Sequence, residues 1–213
     1  METVEPYYLE GLIFAVPFIA FGLVTFFTVN EKLKMGISSA ITAVLIVVLG
    51  FTSLLAFIYI AVDVATTTIN DTDKYQRVLK VTGYPDNPLI QHFTEKIPGD
   101  AKNIVFQYYP GFLQGGTLWG LRFQADPNSI ENYIYRLSKM AKCIGKPKDS
   151  QAQSNGIFSG TFTSLGYFDL PEDFIIFVIY SKSYKPDDWN HGQLSLAAVS
   201  QQRNEVIFLA EDW

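Results

Sequence analysis

The first third of the chain contains two long segments without a single charged residue. Residues 11–29 read GLIFAVPFIAFGLVTFFTV, and residues 37–62 read ISSAITAVLIVVLGFTSLLAFIYIAV. Each segment is close to or above the roughly 20 residues that a helix needs to cross a bilayer. A helix packed on a soluble core would show a polar face at every third or fourth position, and these segments show none. The pattern therefore predicts a hairpin of two transmembrane helices within residues 1–65.

The residues around this hairpin indicate whether its first helix is cleaved off and which way the hairpin is oriented in the membrane. The leader METVEPYYLE contains three Glu and no Lys or Arg. A cleavable signal peptide starts with basic residues, so we expect the first helix to be retained. Lys32 and Lys34 lie in the turn, and basic residues mark the cytoplasmic side of a span. Both termini are then predicted to be extracytoplasmic, although Lys74, Arg77 and Lys80 favour the opposite orientation.

After the hairpin, residues 66–100 are predicted to be a juxtamembrane linker and lead-in to a soluble domain, residues 101–213. Short segments rich in aromatic and β-branched residues indicate strands in that domain. The segment FIIFVIY is apolar without alternation, which is typical of a central strand covered on both faces. The predicted strands are a hairpin of 103–109 and 117–124, one short strand within 157–168, the central strand 174–180, and a second hairpin of 194–200 and 206–210.

Two helices are predicted outside the membrane hairpin. A short one runs from Asp73 to Val81 and is broken before Pro85. The main one starts at Asp126, which suits an N-cap and is followed by Pro127, and it carries one apolar stripe up to an end at Gly145. The predicted fold class is an α+β soluble domain, an antiparallel sheet of about five strands with one main helix, attached to the transmembrane hairpin.

Composition narrows the possible functions. The 213 residues carry a net charge of −5 and no block of Lys or Arg, which argues against nucleic acid as a partner. The single cysteine, Cys143, excludes an intramolecular disulfide and a cysteine-based zinc site. Phosphate-binding loops, dinucleotide fingerprints and hydrolase motifs are missing from the sequence, so no cofactor and no metal is predicted. Neither apolar segment contains a charge that would mark an ion path.

A few residues could still carry chemistry. Asp187, Asp188 and His191 lie together in the 187–191 loop, where a hydrolase could use them, but turn-rich loops are polar on most protein surfaces. His92 is either a packed or surface residue or a ligand. Cys143 stands close to Lys142 and Lys146, as a nucleophilic thiol can, or it is an ordinary buried thiol.

The connection between the first two predicted strands is the favoured binding site. It is longer than the two to five residues of most hairpins, and it places Phe112 and Leu113 between glycines. This apolar tip must either fold back onto the core or stay exposed to a partner or a membrane surface. The candidate binding residues are Tyr109, Phe112, Leu113 and Gln114.

Two stretches, IPGDAKNI at 97–104 and YYPGFLQGG at 108–116, lie beyond the hairpin and linker. This arrangement resembles small uncharacterised membrane-anchored proteins of Gram-positive bacteria, mainly over residues 96–125. The resemblance implies a bacterial cell-membrane protein and assigns neither an activity nor site residues. The sequence favours a non-enzymatic, extracytoplasmic domain that binds a protein partner. An anchored hydrolase that uses the 187–191 loop and an immunity protein against a secreted toxin are the alternatives.

Overall fold

The computed structural model describes residues 8–111, 116–149, 157, 160–183, 185 and 192–213. The chain divides into two compact units, Glu5–Ala65 and Thr66–Trp213. The first is helical. The second contains a β-sheet with helices and includes residues 66–100, which supply part of its core.

Within its described residues, the first unit contains one helix that is long and apolar enough to cross a membrane. This helix, α3, spans Met35–Thr66, has a mean hydropathy of 2.7 in its most apolar window, and buries none of that window within the protein. Apolar side chains left exposed over such a length call for an apolar environment outside the protein. The helix starts before and ends after the predicted segment 37–62, because Met35 and the residues from Asp63 to Thr66 continue its turns.

The other apolar segment is not one continuous long helix. It consists of α1 (Tyr8–Leu12), a 3₁₀ turn (Ile13–Ala15) and α2 (Val16–Val29). The apolar part, Ile13–Val29, falls short of the length of a typical span. Pro17 explains the interruption, since it has no N–H to continue the hydrogen bonding of an α-helix. The predicted pair of spans is therefore supported for α3 alone.

The second unit is built on a six-stranded antiparallel sheet in the order β1-β2-β6-β5-β4-β3. The two predicted hairpins, β1 with β2 and β5 with β6, are both confirmed, and β6 joins them in the middle of the sheet. The strands are β1 (Lys102–Tyr109), β2 (Thr117–Gln124), β3 (Cys143–Gly145), β4 (Ile175–Lys182), β5 (Gln193–Ser200) and β6 (Glu205–Asp212).

The sheet has a strand that the sequence did not predict, β3, and it occupies the residues where the main helix was expected to end. That helix, α5, spans Pro127–Met140 and starts at the predicted cap, where the Asp126 carboxylate accepts hydrogen bonds from the N–H groups of Asn128 and Ser129. It ends before Gly145 because the next residues become extended and pair with β4, as Lys142 N–H donates to Val178 O at 2.8 Å. The strand predicted within 157–168 is also wrong. Among the described residues there, Thr163–Leu165 forms a 3₁₀ turn that ends at Gly166 with φ of 90°.

Both faces of the sheet are buried. One face is covered by α4 (Tyr75–Val81), α5 and residues 89–93. Of these, α5 and residues 89–93 meet around Phe208 of β6. The other face carries alternate residues of the same strands under a cluster of apolar side chains from the 157–174 region. The strand predicted to be covered on both sides, β4, is confirmed: Phe177 faces one layer, and Ile176 and Val178 face the other.

Candidate functional site

A serine–histidine pair lies at the centre of the first layer. Ser195 Oγ is 3.1 Å from His92 Nδ1, a distance at which a histidine base activates a serine nucleophile. Both side chains have an exposed fraction of 0%. The other ring nitrogen, Nε2, is 2.8 Å from Leu196 O, and Ser195 Oγ also lies 2.8 Å from Leu89 O.

These contacts define a structural role for the pair. Leu196 O can only accept, so Nε2 carries the proton of the neutral ring. Ser195 has a single hydroxyl proton, which it donates to Leu89 O at 2.8 Å and shares with the acceptor Nδ1 at 3.1 Å. Burial lowers the pKa of His92 to about 3, and its own hydrogen bonds and the nearby Arg136 have smaller effects. A neutral, sealed imidazole ties the segment around Leu89 and His92 to β5, and no substrate can reach it.

The predicted binding and catalytic residues fall mostly outside the described part of the chain. Phe112, Leu113 and Gln114 lie there, and so do Asp187, Asp188 and His191 of the 187–191 loop. Tyr109 is described and half-buried at the end of β1. Cys143 is half-buried in β3, opposite Val178. Among the described residues, no three His, Cys, Asp or Glu side chains are grouped as metal ligands.

A small cavity opens at the end of the sheet where Tyr109 lies. It has a volume of about 260 Å³. Both ends of the 110–116 connection contribute to it, Tyr109 from β1 and Gly116 from the residue before β2, and the end of β6 closes it. Its lining includes Gln107, Tyr109, Gly116, Leu118, Glu211 and Trp213.

Glu211 is the one acidic side chain in this lining. Its exposed fraction is 9%, and it stands between Leu118 of β2 and Leu194 of β5 in the antiparallel register. Burial is the sole cause that raises the pKa of Glu211, to about 7, because no described side chain contributes a hydrogen bond or a charge to it. A buried carboxyl without a partner is costly to ionise, and groups of this kind are concentrated at functional sites.

A signal in the sequence could have identified Glu211. Along β6 the apolar residues alternate between the two layers, so Ile207 and Leu209 face the same side as position 211. The period of two therefore places a carboxylate on a buried face. The sequence interpretation missed it because it took Ala210 as the last strand residue, whereas β6 continues for two more residues to Asp212.

The wall of the cavity requires glycine at position 116. A Cβ atom added to Gly116 would lie 2.7 Å from Asp212 O and 2.9 Å from Trp213 Cα. These are backbone atoms, and they cannot move aside as a flexible side chain could. Gly116 thus allows the end of the connection to lie directly against the end of β6.

We expect Gly116→Ala to lower the free energy of unfolding by about 1–3 kcal/mol, the usual cost of overpacking. Urea unfolding followed by tryptophan fluorescence would measure it. Gly99→Ala is the control, because an added Cβ there meets no atom within 4 Å, and it should change stability by less than about 0.5 kcal/mol. Equal effects of the two substitutions would contradict the close approach at Gly116.

A second cavity, of about 500 Å³, lies at the opposite end of the same strands beside Arg122 and Glu205. Its charged side chains pair with one another, although Arg122 Nε, 3.9 Å from Glu205 Oε1, makes no hydrogen bond to a described acceptor. Tyr167 donates to Glu205 at 3.0 Å, the Arg122 guanidinium lies 5.2 Å above the Tyr167 ring, and Arg203 binds Asp173 at 2.9 Å. This network has the character of a structural polar cluster, so the Glu211 cavity is the better candidate site of these two.

Comparisons with known proteins yield no relative: no family model, no curated protein and no solved structure matches this chain. The candidate site therefore rests on its geometry.

Proposed function

We propose that the protein is a membrane-anchored, extracytoplasmic domain that binds a protein partner and performs no catalysis. The Glu211 cavity is the observation that carries the proposal. It joins a buried carboxyl to the aromatic residues Tyr109 and Trp213 at the base of a connection whose sequence includes Phe112 and Leu113. Buried aromatic residues beside a desolvated charge are characteristic of the centre of a protein interface.

The anchor follows from the apolar helices of the first unit. Helix α3 supplies one span, and we propose that Ile13–Val29, extended by α1, supplies a second. Near the turn between these helices, Thr28 Oγ and Ser38 Oγ are 2.7 Å apart, which joins the two helices at that end. Lys32 and Lys34 in the turn favour a cytoplasmic turn, so the second unit would face outward.

One labelling experiment tests both the orientation and the binding. In a Cys143→Ser background, Tyr109→Cys introduces the single thiol of the chain at the cavity. Intact cells are treated with a membrane-impermeant maleimide that carries a photoreactive group, and the membranes are then irradiated. We expect labelling before lysis and one discrete crosslinked species at position 109, whose mass identifies a second copy of the chain or another protein.

Tyr135→Cys in the same background is the matched control. Tyr135 is 63% exposed on α5, which covers the other face of the sheet. It should be labelled equally well and should not give the same crosslinked species. Labelling of both positions only after lysis would show that the orientation is wrong. Labelling without a species specific to position 109 would show that the cavity is not the binding surface.

A further inference from the structure

We infer that the Glu211 cavity is a receptor for one basic side chain, lysine or arginine, of a protein partner. This inference rests on the proposed function and names the chemistry by which the partner is recognised. Three features of the cavity support it: its charge, its aromatic wall and its size.

The charge of the cavity is unbalanced. Glu211 supplies a carboxylate, and no described cation contributes to its environment. Among the lining residues, the other titratable side chain is the Tyr109 phenol. The neighbouring Asp212 points to the opposite face, where Gln193 donates to its Oδ1 at 3.1 Å. A desolvated carboxylate gains most from a cation that enters with its own hydrogen-bond donors.

The wall of the cavity favours a cation over a neutral donor. Tyr109 and Trp213 line it together with Leu118. Ammonium and guanidinium groups bind to the faces of aromatic rings, best of all to tryptophan, and they carry apolar stems that pack on such surfaces. A basic side chain thus matches both components of the lining, its stem the apolar part and its head group Glu211.

The size of the cavity favours a side chain over a free ligand. Pockets that hold a whole small molecule measure about 300–1,000 Å³, whereas this one measures about 260 Å³. A side chain inserted from a partner surface fills a space of this kind while the surrounding contacts exclude water.

The full-length protein in neutral detergent micelles allows a direct test. It is produced with 5-fluorotryptophan, and the Trp213 signal in the ¹⁹F NMR spectrum is assigned by its loss in Trp213→Phe. The probes are the N-acetyl methylamides of lysine and arginine, with that of norleucine as the uncharged analogue. We expect the basic probes to shift the Trp213 signal with roughly millimolar affinity, as befits a single side chain, and to leave the Trp119 signal unchanged.

Two variants and the pH dependence identify the group that binds. Glu211→Gln should weaken the basic probes about tenfold or more, as expected for the loss of a charged hydrogen bond. Asp212→Asn, which removes the adjacent carboxylate on the other face, should leave the affinity unchanged. Affinity should rise with pH up to about 7 and level off above it, because the cation needs the ionised carboxylate of Glu211.

Three results would overturn the inference. If the norleucine probe binds as tightly as the lysine probe, the pocket is apolar and selects no charge. If affinity falls as Glu211 ionises, the neutral acid is the group recognised. If neither basic probe shifts the Trp213 signal, the cavity is not a cation site. The crosslinking at position 109 is independent of these outcomes. A specific crosslink without amine binding would retain the proposed function and reject only the inference.

Discussion

Replacing Phe208 by alanine should lower the free energy of unfolding of the second unit by about 3–5 kcal/mol, the usual cost of removing a buried phenylalanine. Phe208 lies on the central strand β6 with an exposed fraction of 0%. Its ring is 5.5 Å from Phe93, 5.8 Å from Tyr133 and 5.9 Å from His92, so it joins the residue 89–93 segment and α5 to the sheet.

The measurement needs no separation of the two units. All three tryptophans, at positions 119, 189 and 213, belong to the second unit, so denaturant unfolding of the full-length protein in micelles reports on that unit alone. Because a typical domain is stable by only about 5–15 kcal/mol, the expected loss is a large fraction of the total. Phe168→Ala is the matched control: that ring is 67% exposed, and its removal should cost less than about 0.5 kcal/mol. Similar losses in the two variants would refute the position of Phe208 at the centre of the core.

Elements defined by local pattern could be predicted from the sequence, and elements defined by distant pairing could not. The two hairpins and the cap of α5 follow from alternation, turn residues and the Asp126-Pro127 pair, and the structure shows all three. The three-residue strand β3 has no local signal, because it exists only through its pairing with β4, more than 30 residues away. Likewise, the unbroken apolar sequence predicted a single first helix. In the structure a 3₁₀ turn, Ile13–Ala15, interrupts it shortly before Pro17.

The candidate site was predictable in part for the same reason. The unusual length of the 110–116 connection directed attention to Tyr109, which does line the cavity. The opposing wall comes from the end of β6, about 100 residues later, and no local pattern joins it to Tyr109. The His92–Ser195 pair is equally non-local, because its members are 103 positions apart in the sequence. Only the fold shows that this pair is sealed and that Glu211 has no hydrogen-bonding or charged partner among the described residues.

Two buried groups should give the second unit an unusual dependence of stability on pH. The pKa of His92 is lowered from 6.5 to about 3, so the unfolded state binds the extra proton between these values and stability falls as pH falls. The pKa of Glu211 is raised from 4.5 to about 7, so the folded state binds the extra proton there and stability falls as pH rises. From pH 4.5 to 6.5 the two contributions oppose each other. Through these two groups alone, the free energy of unfolding is therefore nearly independent of pH in that window. It falls below the window because of His92 and just above the window because of Glu211.

Substitution of each group separates the two contributions. At pH 4, Glu211→Gln should have nearly the same free energy of unfolding as the parent protein. At pH 8 the variant should be more stable by about 3 kcal/mol, the free energy that corresponds to the raised pKa of Glu211. His92→Gln should give the reverse trend. The substitution has a packing cost that does not vary with pH, but the stability of the variant relative to the parent protein should rise by up to about 5 kcal/mol as the pH falls from 7 to 3.

Urea unfolding of the three proteins across this pH range would supply both difference curves, and a difference for Glu211→Gln that does not vary with pH would contradict the buried, unpartnered carboxyl.

A gain in stability at pH 8 has a functional meaning as well. A carboxylate that destabilises its own fold near neutral pH is relieved when a cation binds beside it, so the same residue that costs stability in the free protein adds affinity in the complex.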